Sequence, residues 1–187
     1  MSSARVIPAA MPAVSEASDV VHAGPLSELA ASTFPLACPP GSAPEDIRSF
    51  IAANLTAGHF AAHIRAVDRT VLWAGHEDGE TVGYCLLVHG SQPAFSEPAA
   101  LRHAPTVELN KFYVHADHHG RGVSARLMTA ALQAARRSGA AGIWLGVNQE
   151  NARAQRFYAK SGYSRSGVRT FRMGRRTEQD FILERPL

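Results

Sequence analysis

The feature that most constrains this chain is a glycine turn, Gly120-Arg121-Gly122, set between an apolar strand and the best amphipathic helix in the sequence. Val107–Val114 reads as the strand. After the turn, Val123, Leu127, Met128, Ala131, Leu132 and Ala135 recur at helical spacing and Ser138-Gly139 supplies a stop, which predicts a helix over 122–137. A helix that starts straight after a glycine turn presents unpaired backbone N–H groups and the positive end of its dipole, so phosphate is the natural ligand of such a junction. No Lys-Ser/Thr follows the glycines, which excludes a Walker A loop. Gly120-Arg121-Gly122-Val123-Ser124-Ala125 fits the loose G-x-G-x-x-A dinucleotide form. Against that form, the strand lies mid-chain, 62 residues remain after Ala125, and the first glycine does not directly follow the strand.

The rest of the chain surrounds this junction with alternating elements. Leu26–Phe34 reads as a short helix and Glu45–Leu55 as an amphipathic one carrying Ile47, Phe50, Ile51 and Leu55 on one face. Pro35, Pro39, Pro40, Gly41 and Pro44 punctuate the loop between them, and His59–Val67 adds a further helical turn or two. Val71–Ala74 and Thr81–Val88 read as a hairpin turning at 76–80, followed by an irregular loop with Pro93, Pro98 and Pro105. Beyond the long helix come a strand at Ile143–Val147, a helix at Asn151–Lys160 closed by Gly162, and strands near Tyr163–Phe171 and Phe181–Glu184. This order predicts one α/β layered domain with a mixed sheet over residues 20–187. Residues 1–19, rich in Ala, Pro and Ser, are expected to be a disordered lead-in.

Composition narrows the function classes. The 187 residues suit one domain of ~100–200 residues. With 45% hydrophobic and 19% charged residues, disorder, collagen and a coiled coil are excluded. No apolar run approaches the ~18–20 residues that cross a bilayer. Val6–Val14 is broken by Pro8 and Pro12, so neither a signal peptide nor a membrane partner is expected. Cys38 and Cys85 form no CxxC pair, which points to a reducing, cytoplasmic setting. The net charge of +3 conceals a split: residues 1–120 hold 6 basic and 12 acidic side chains, residues 121–176 hold 12 and 1, and residues 177–187 hold 1 and 3. A basic stretch that begins inside a glycine turn suits a polyanion, nucleic acid or a phosphorylated cofactor, while the acidic first half suits a cation. The alternative is that these arginines are solvated helix faces.

Residues 107–163 resemble the GNAT superfamily of N-acetyltransferases. His119-Gly120-Arg121-Gly122-Val123-Ser124, after Phe112-Tyr113-Val114, is similar to the family's acetyl-CoA loop. Two positions depart from it: His119 stands for Gln or Arg, and Ser124 for Gly or Ala. The run from Asn151 through Phe157-Tyr158 to Gly162-Tyr163 is similar to the family's second signature. The resemblance implies a mixed, mostly antiparallel sheet flanked by helices. It also implies acetyl-CoA as cosubstrate, held by Phe112, Tyr113, Val114, His119, Gly120, Arg121, Gly122, Val123, Ser124 and Asn151, with Arg121, Arg126 and later arginines available to the phosphates. Tyr158 matches the tyrosine that protonates the CoA thiolate, and Glu108 the carboxylate that acts as general base through water. A second branch of the family places a Glu in the next strand, where this chain has Gly146. Nearer the end, Gly162-Tyr163, Phe171-Arg172-Met173-Gly174 and Asp180–Leu187 resemble small bacterial polyamine (spermidine/spermine) acetyltransferases.

Each assignment has a plainer counterpart. Glu108 is otherwise the partner of a nearby arginine, Tyr158 a core aromatic beside Phe157, and Asn148 or Asn151 a helix cap. His115, His118 and His119 put three imidazoles within five residues, but without a cysteine nearby no metal is expected, and His115 is the alternative to Glu108 as base. Glu45, Asp46, Glu77, Asp78 and Glu80 are the acids expected beside a cationic acceptor. The reading is an acetyl-CoA-dependent N-acetyltransferase that transfers acetyl directly to a small primary amine. The partners are acetyl-CoA and the amine, with no nucleic acid, and the chain acts as a monomer or homodimer. The alternatives are a non-catalytic acyl-CoA-binding or sensing module and a Rossmann-type oxidoreductase.

Overall fold

Seven strands form one sheet in the order β1-β2-β3-β4-β5-β7-β6. They are β1 (Ala13–Glu16), β2 (Arg69–Gly75), β3 (Thr81–His89), β4 (Thr106–Val114), β5 (Gly142–Asn148), β6 (Ser164–Met173) and β7 (Arg176–Pro186). The computed structural model describes residues 11–76, 79–93, 101–173 and 176–187. Every neighbouring pair is antiparallel except β4 with β5. Helices α1 (Ala23–Thr33), α2 (Pro44–Asn54) and α3 (Ala57–Arg65) precede β2, α4 (Val123–Arg137) joins β4 to β5, and α5 (Ala152–Lys160) joins β5 to β6. This is the mixed, mostly antiparallel sheet flanked by helices that the element order and the resemblance led us to expect.

The helices cover both faces. On one, the stripe Leu127, Met128, Ala131 and Ala135 of α4 packs on Leu72, Cys85, Leu87, Ile143 and Leu145 of the sheet. Leu127 is fully buried, which contributes about 1.5–3 kcal/mol over leaving it in water. On the other face, Leu26 and Ala30 of α1 and Phe60 of α3 close over Val71, Tyr84 and Leu86. Among the described residues no helix is long and apolar enough to cross a membrane.

The parallel pair is short. β4 and β5 share a ladder only over Thr106–Glu108 and Gly142–Trp144. Beyond it each keeps its outer neighbour, β4 as far as Val114 opposite Gly83 and β5 as far as Asn148 opposite Asp180. The two strands therefore part from one another and leave a gap in the middle of the sheet. A bulge in β4 accompanies the split: Leu87 faces Leu109 but Leu86 faces Lys111, so Asn110 has no opposite residue. Val107 and Leu109 belong to the α4 core before the bulge, and after it Phe112 and Val114 do, while Tyr113 joins the opposite face.

Two expectations are corrected. Residues 1–10 lie outside the described residues, but Ala13–Glu16, inside the expected lead-in, pair with Leu72–Gly75 as an edge strand. Only Val14 of that strand packs on the α4 core, and a single inward residue leaves no alternation to read. The last strand runs over Arg176–Pro186 rather than Phe181–Glu184, because Glu178 and Asp180 take its inner face and interrupt the apolar pattern. Buried Glu184 accepts hydrogen bonds from the backbone N–H groups of Arg102 and His103 and from the His103 ring, which ties the segment leading into β4 to β7.

His63 of α3 gives the fold a pH dependence. Burial, then the charges of Lys111 and Arg69, lower its pKa from 6.5 to about 4, and its Nδ1 accepts a hydrogen bond from the Arg69 guanidinium. Between those two values the unfolded chain binds the extra proton, so stability is lost as pH falls from about 6.5 to about 4. Thermal melts at constant ionic strength should show a Tm decline over this window that is a few °C smaller in His63→Gln than in the parent. Equal declines would remove His63 as a source.

Candidate active site

The gap between β4 and β5 opens a cleft of about 410 Å³ that reaches both faces of the sheet. Leu109–Val114 line one side and Gly146–Asn148 the other. From the α4 side come His119, Ser124 and the α5 residues Asn151, Ala154, Phe157 and Tyr158. From the opposite side come Phe34 and Cys38 after α1, Phe50 of α2, Arg169 of β6, and Glu178 and Asp180 of β7. Phe34 and Phe50 stack with ring centroids 4.5 Å apart, so this second mouth has an apolar wall facing a charged one.

The glycine turn lies at the first mouth. Gly120 and Gly122 adopt φ of +75° and +80°, a conformation that costs an L side chain about 1–2 kcal/mol. Gly122 is the N-cap of α4 and makes no side-chain cap, so the first N–H groups of the helix lack intrahelical acceptors. His119 takes no part in that array: its Nε2 donates to the Val114 carbonyl at 2.9 Å and ties the turn to the end of β4. Asn151 caps α5, its Oδ1 accepting from Ala154 N at 3.0 Å, and it also lines the cleft. Asn148 is engaged separately, its Oδ1 accepting from Glu150 N at 2.8 Å. These backbone donors and the turn that exposes them fit a phosphorylated cosubstrate.

Tyr158 lines the cleft with its ring edge-on to Phe112, 6.3 Å away, and to Tyr163, 5.7 Å away. Burial raises its phenol well above the usual range, so the hydroxyl stays a neutral donor. No hydrogen bond is made by that hydroxyl among the described residues. Cys38 lines the opposite mouth, where burial and the charge of Glu178 raise its thiol, and Cys85 is wholly buried and pushed up to about 12. Neither presents a thiolate near neutral pH, so the cleft offers no cysteine nucleophile.

Glu108 sits behind the cleft rather than on its wall. Its Oε2 accepts from Ser91 Oγ at 3.0 Å, and its Oε1 accepts from Asn110 Nδ2 at 3.1 Å and from Arg169 at 3.5 Å. The same guanidinium reaches Asp180, Nε to Oδ2, at 3.3 Å. Gly146 makes this possible: a Cβ there would stand 2.3 Å from the Arg169 Nη2. The bare backbone at 146 is the seat of an arginine from β6.

Glu178 and Asp180, 9% and 6% exposed, are cleft acids that reading the sequence missed. The signal was faint: Glu178, Asp180 and Glu184 share one parity, with Ile182 between, in a strand judged by its apolar residues. The acids expected there lie elsewhere. Glu45 and Asp46 occupy the first turn of α2, Glu80 stands beside His118, and Glu77 and Asp78 fall outside the described residues. The three histidines of 115–119 do not converge, for His118 turns toward His76 and Glu80 instead. One donor atom each from His76, Glu80 and His118 lies within 4.8 Å of the others.

A sheet split between two parallel strands, with an uncapped helix start at one mouth and buried acids at the other, is a passage open to a phosphorylated molecule on one side and to a second ligand on the other. The model described as the acetyltransferase (GNAT) family matches residues 30–163, and the chain belongs to that family. It is an acetyl-CoA-dependent N-acetyltransferase of the GNAT type. An uncharacterized N-acetyltransferase of Mycobacterium tuberculosis is 46% identical over 168 residues, spanning 90% of this chain and 99% of the relative. The PaiA N-acetyltransferase of Thermoplasma acidophilum, solved in complex with coenzyme A, shares the fold at a TM-score of 0.71 and 19% identity, over 94% of this chain and 99% of that one. The ribosomal-protein-S18-alanine N-acetyltransferase of Escherichia coli does so at 0.66 and 14%, over 94% of each chain.

Proposed function

We propose that this chain acetylates a primary amine of a small polycation, a polyamine of the spermidine class, by direct transfer from acetyl-CoA. The observation that carries the reading is the cleft's polarity, with an uncapped helix N-terminus at one mouth and Glu178 and Asp180 buried at the other. The N–H groups of the Gly120–Ser124 turn suit the diphosphate, and the β4 edge at Phe112–Val114, left without a ladder partner on the β5 side, suits the amide-bearing arm together with Asn151. Arg169 and Lys111 line the same cleft, and the carboxylates of Glu178 and Asp180 beside them are the groups that suit the ammonium groups of a polyamine.

The amine nitrogen, once deprotonated, attacks the thioester carbonyl; a C–N bond forms, the C–S bond breaks, and the electron pair leaves on sulfur. Tyr158 donates its hydroxyl proton to that sulfur and is reprotonated from solvent. A cysteine relay is unnecessary, in keeping with the raised pKa of both thiols.

Two measurements test this. Tyr158→Phe should lower kcat by about 10–1000-fold while acetyl-CoA affinity is unchanged, and a full-rate variant would dismiss Tyr158 as the acid. In a CoA-release assay, Glu178→Gln should raise KM for spermidine about tenfold and leave KM for a monoamine with an uncharged tail within twofold. The preference for spermidine should also shrink as salt rises past ~0.15 M. Equal responses of the two amines would remove the polyamine assignment, and acetyl-CoA binding without turnover of any amine would leave a sensing module.

A further inference from the structure

Resting on the amine-acetylation reading above, we infer that Asp180 takes the proton from the acceptor ammonium, with Arg169 as its positioning residue and Glu108 as the anchor behind Arg169. A base must reach the substrate. Asp180 lines the cleft and Glu108 does not. Three donors already hold the Glu108 oxygens, whereas Asp180 has one side-chain partner among the described residues, Arg169 Nε on Oδ2 at 3.3 Å. Its Oδ1 is thereby left to the cleft. Asp180 stands opposite Asn148, the last residue of β5, whose other edge faces the split.

The arginine is held on several sides. It lies against the Gly146 backbone, 5.6 Å above the Trp144 ring, and reaches back to Glu108 at 3.5 Å. A guanidinium fixed in this way presents Asp180 in one orientation and shares its charge between two carboxylates. The electrostatic surroundings of Asp180 favour a base. Burial raises its pKa above the ordinary aspartate value and the neighbouring Glu178 raises it further, while the charge and hydrogen bond of Arg169 hold it down. Tyr113 and Lys111 of β4 and Cys38 of the α1–α2 connection also line this cleft; burial keeps the phenol and the thiol neutral and lowers the Lys111 pKa, against the charge of Glu108. Asp180 therefore has more affinity for a proton than an exposed aspartate has. In the reaction the N–H bond of the ammonium breaks, its proton passes to Oδ1, and the electron pair stays on nitrogen to form the C–N bond. The proton leaves to solvent after CoA departs.

The test measures CoA release by the full chain against pH with two acceptors, spermidine and hydroxylamine, a weak base already neutral at assay pH. With spermidine, Asp180→Asn should lower kcat about 100-fold, keep KM within threefold and lose the acidic limb of the pH profile. With hydroxylamine the same variant should lose less than tenfold. Glu108→Gln should keep the limb, and Arg169→Ala should move it to higher pH, since the removed cation holds the Asp180 pKa down. If Asp180→Asn does not fold by circular dichroism, the direction of the Arg169→Ala shift decides alone. An unchanged limb in Asp180→Asn, a limb lost only in Glu108→Gln, an equal deficit with both acceptors, or an unmoved limb in Arg169→Ala would overturn the inference while leaving the transferase reading intact. A parent enzyme that releases no CoA with any amine would overturn both.

Discussion

Two parallel strands that start as neighbours and then separate govern this molecule. Parallel pairing holds β4 and β5 together for three residues, after which each follows its antiparallel partner on the outside. A strand edge inside a domain cannot stay unpaired without loss, because each buried N–H or C=O without a partner costs about 1–3 kcal/mol. The split edge of β4 instead lines the cleft, where a ligand with hydrogen-bonding groups along its length can replace water as its partner. The bulge at Asn110 acts on the same cleft. By inserting one residue it turns Phe112 and Val114 toward the α4 core and Tyr113 toward the opposite mouth, so the two sides of the cleft receive different chemistry from one strand.

The two mouths are complementary because different elements build them. α4 begins beside the end of β4, and its glycine N-cap leaves donors pointing outward. On the far side, the β6–β7 hairpin delivers Arg169, Glu178 and Asp180 to one patch. Three charged groups in a largely buried setting are tolerable only as a network, since a lone buried charge is expensive. Glu108 completes that network from behind, which accounts for a carboxylate so well supplied with donors. The two acids of the second mouth come from the last eleven residues and not from the acidic first half, so charge counted along the chain pointed to other residues.

What could be read without coordinates were features written in consecutive residues. The strand–turn–helix junction, the α4 stripe and the α5 cap at Asn151 all depend on spacings of a few positions and stand where they were expected. What escaped reading depends on partners distant in sequence. The contact between Arg169 and Gly146 joins positions on two strands that are not even neighbours in the sheet, because β7 lies between β5 and β6. The bulge is equally silent: Thr106–Val114 carries no glycine to mark it, and strict alternation assigns Lys111 and Tyr113 to the wrong face. β1 is a four-residue edge whose only inward apolar side chain is Val14.

The central claim is that the split sheet takes acetyl-CoA with its phosphates at the α4 start, and calorimetric titration of acetyl-CoA into the parent, Gly122→Ala and Gly122→Asp examines it most directly. Both substitutions place a side chain at φ of +80°, which aspartate tolerates at least as well as alanine, and only the aspartate adds negative charge to the donor array. The account predicts that Gly122→Asp binds at least about 30-fold more weakly than Gly122→Ala while both melt within a few °C of each other. Equal affinity of the two variants would mean that the phosphates bind elsewhere, and would contradict the account at its base.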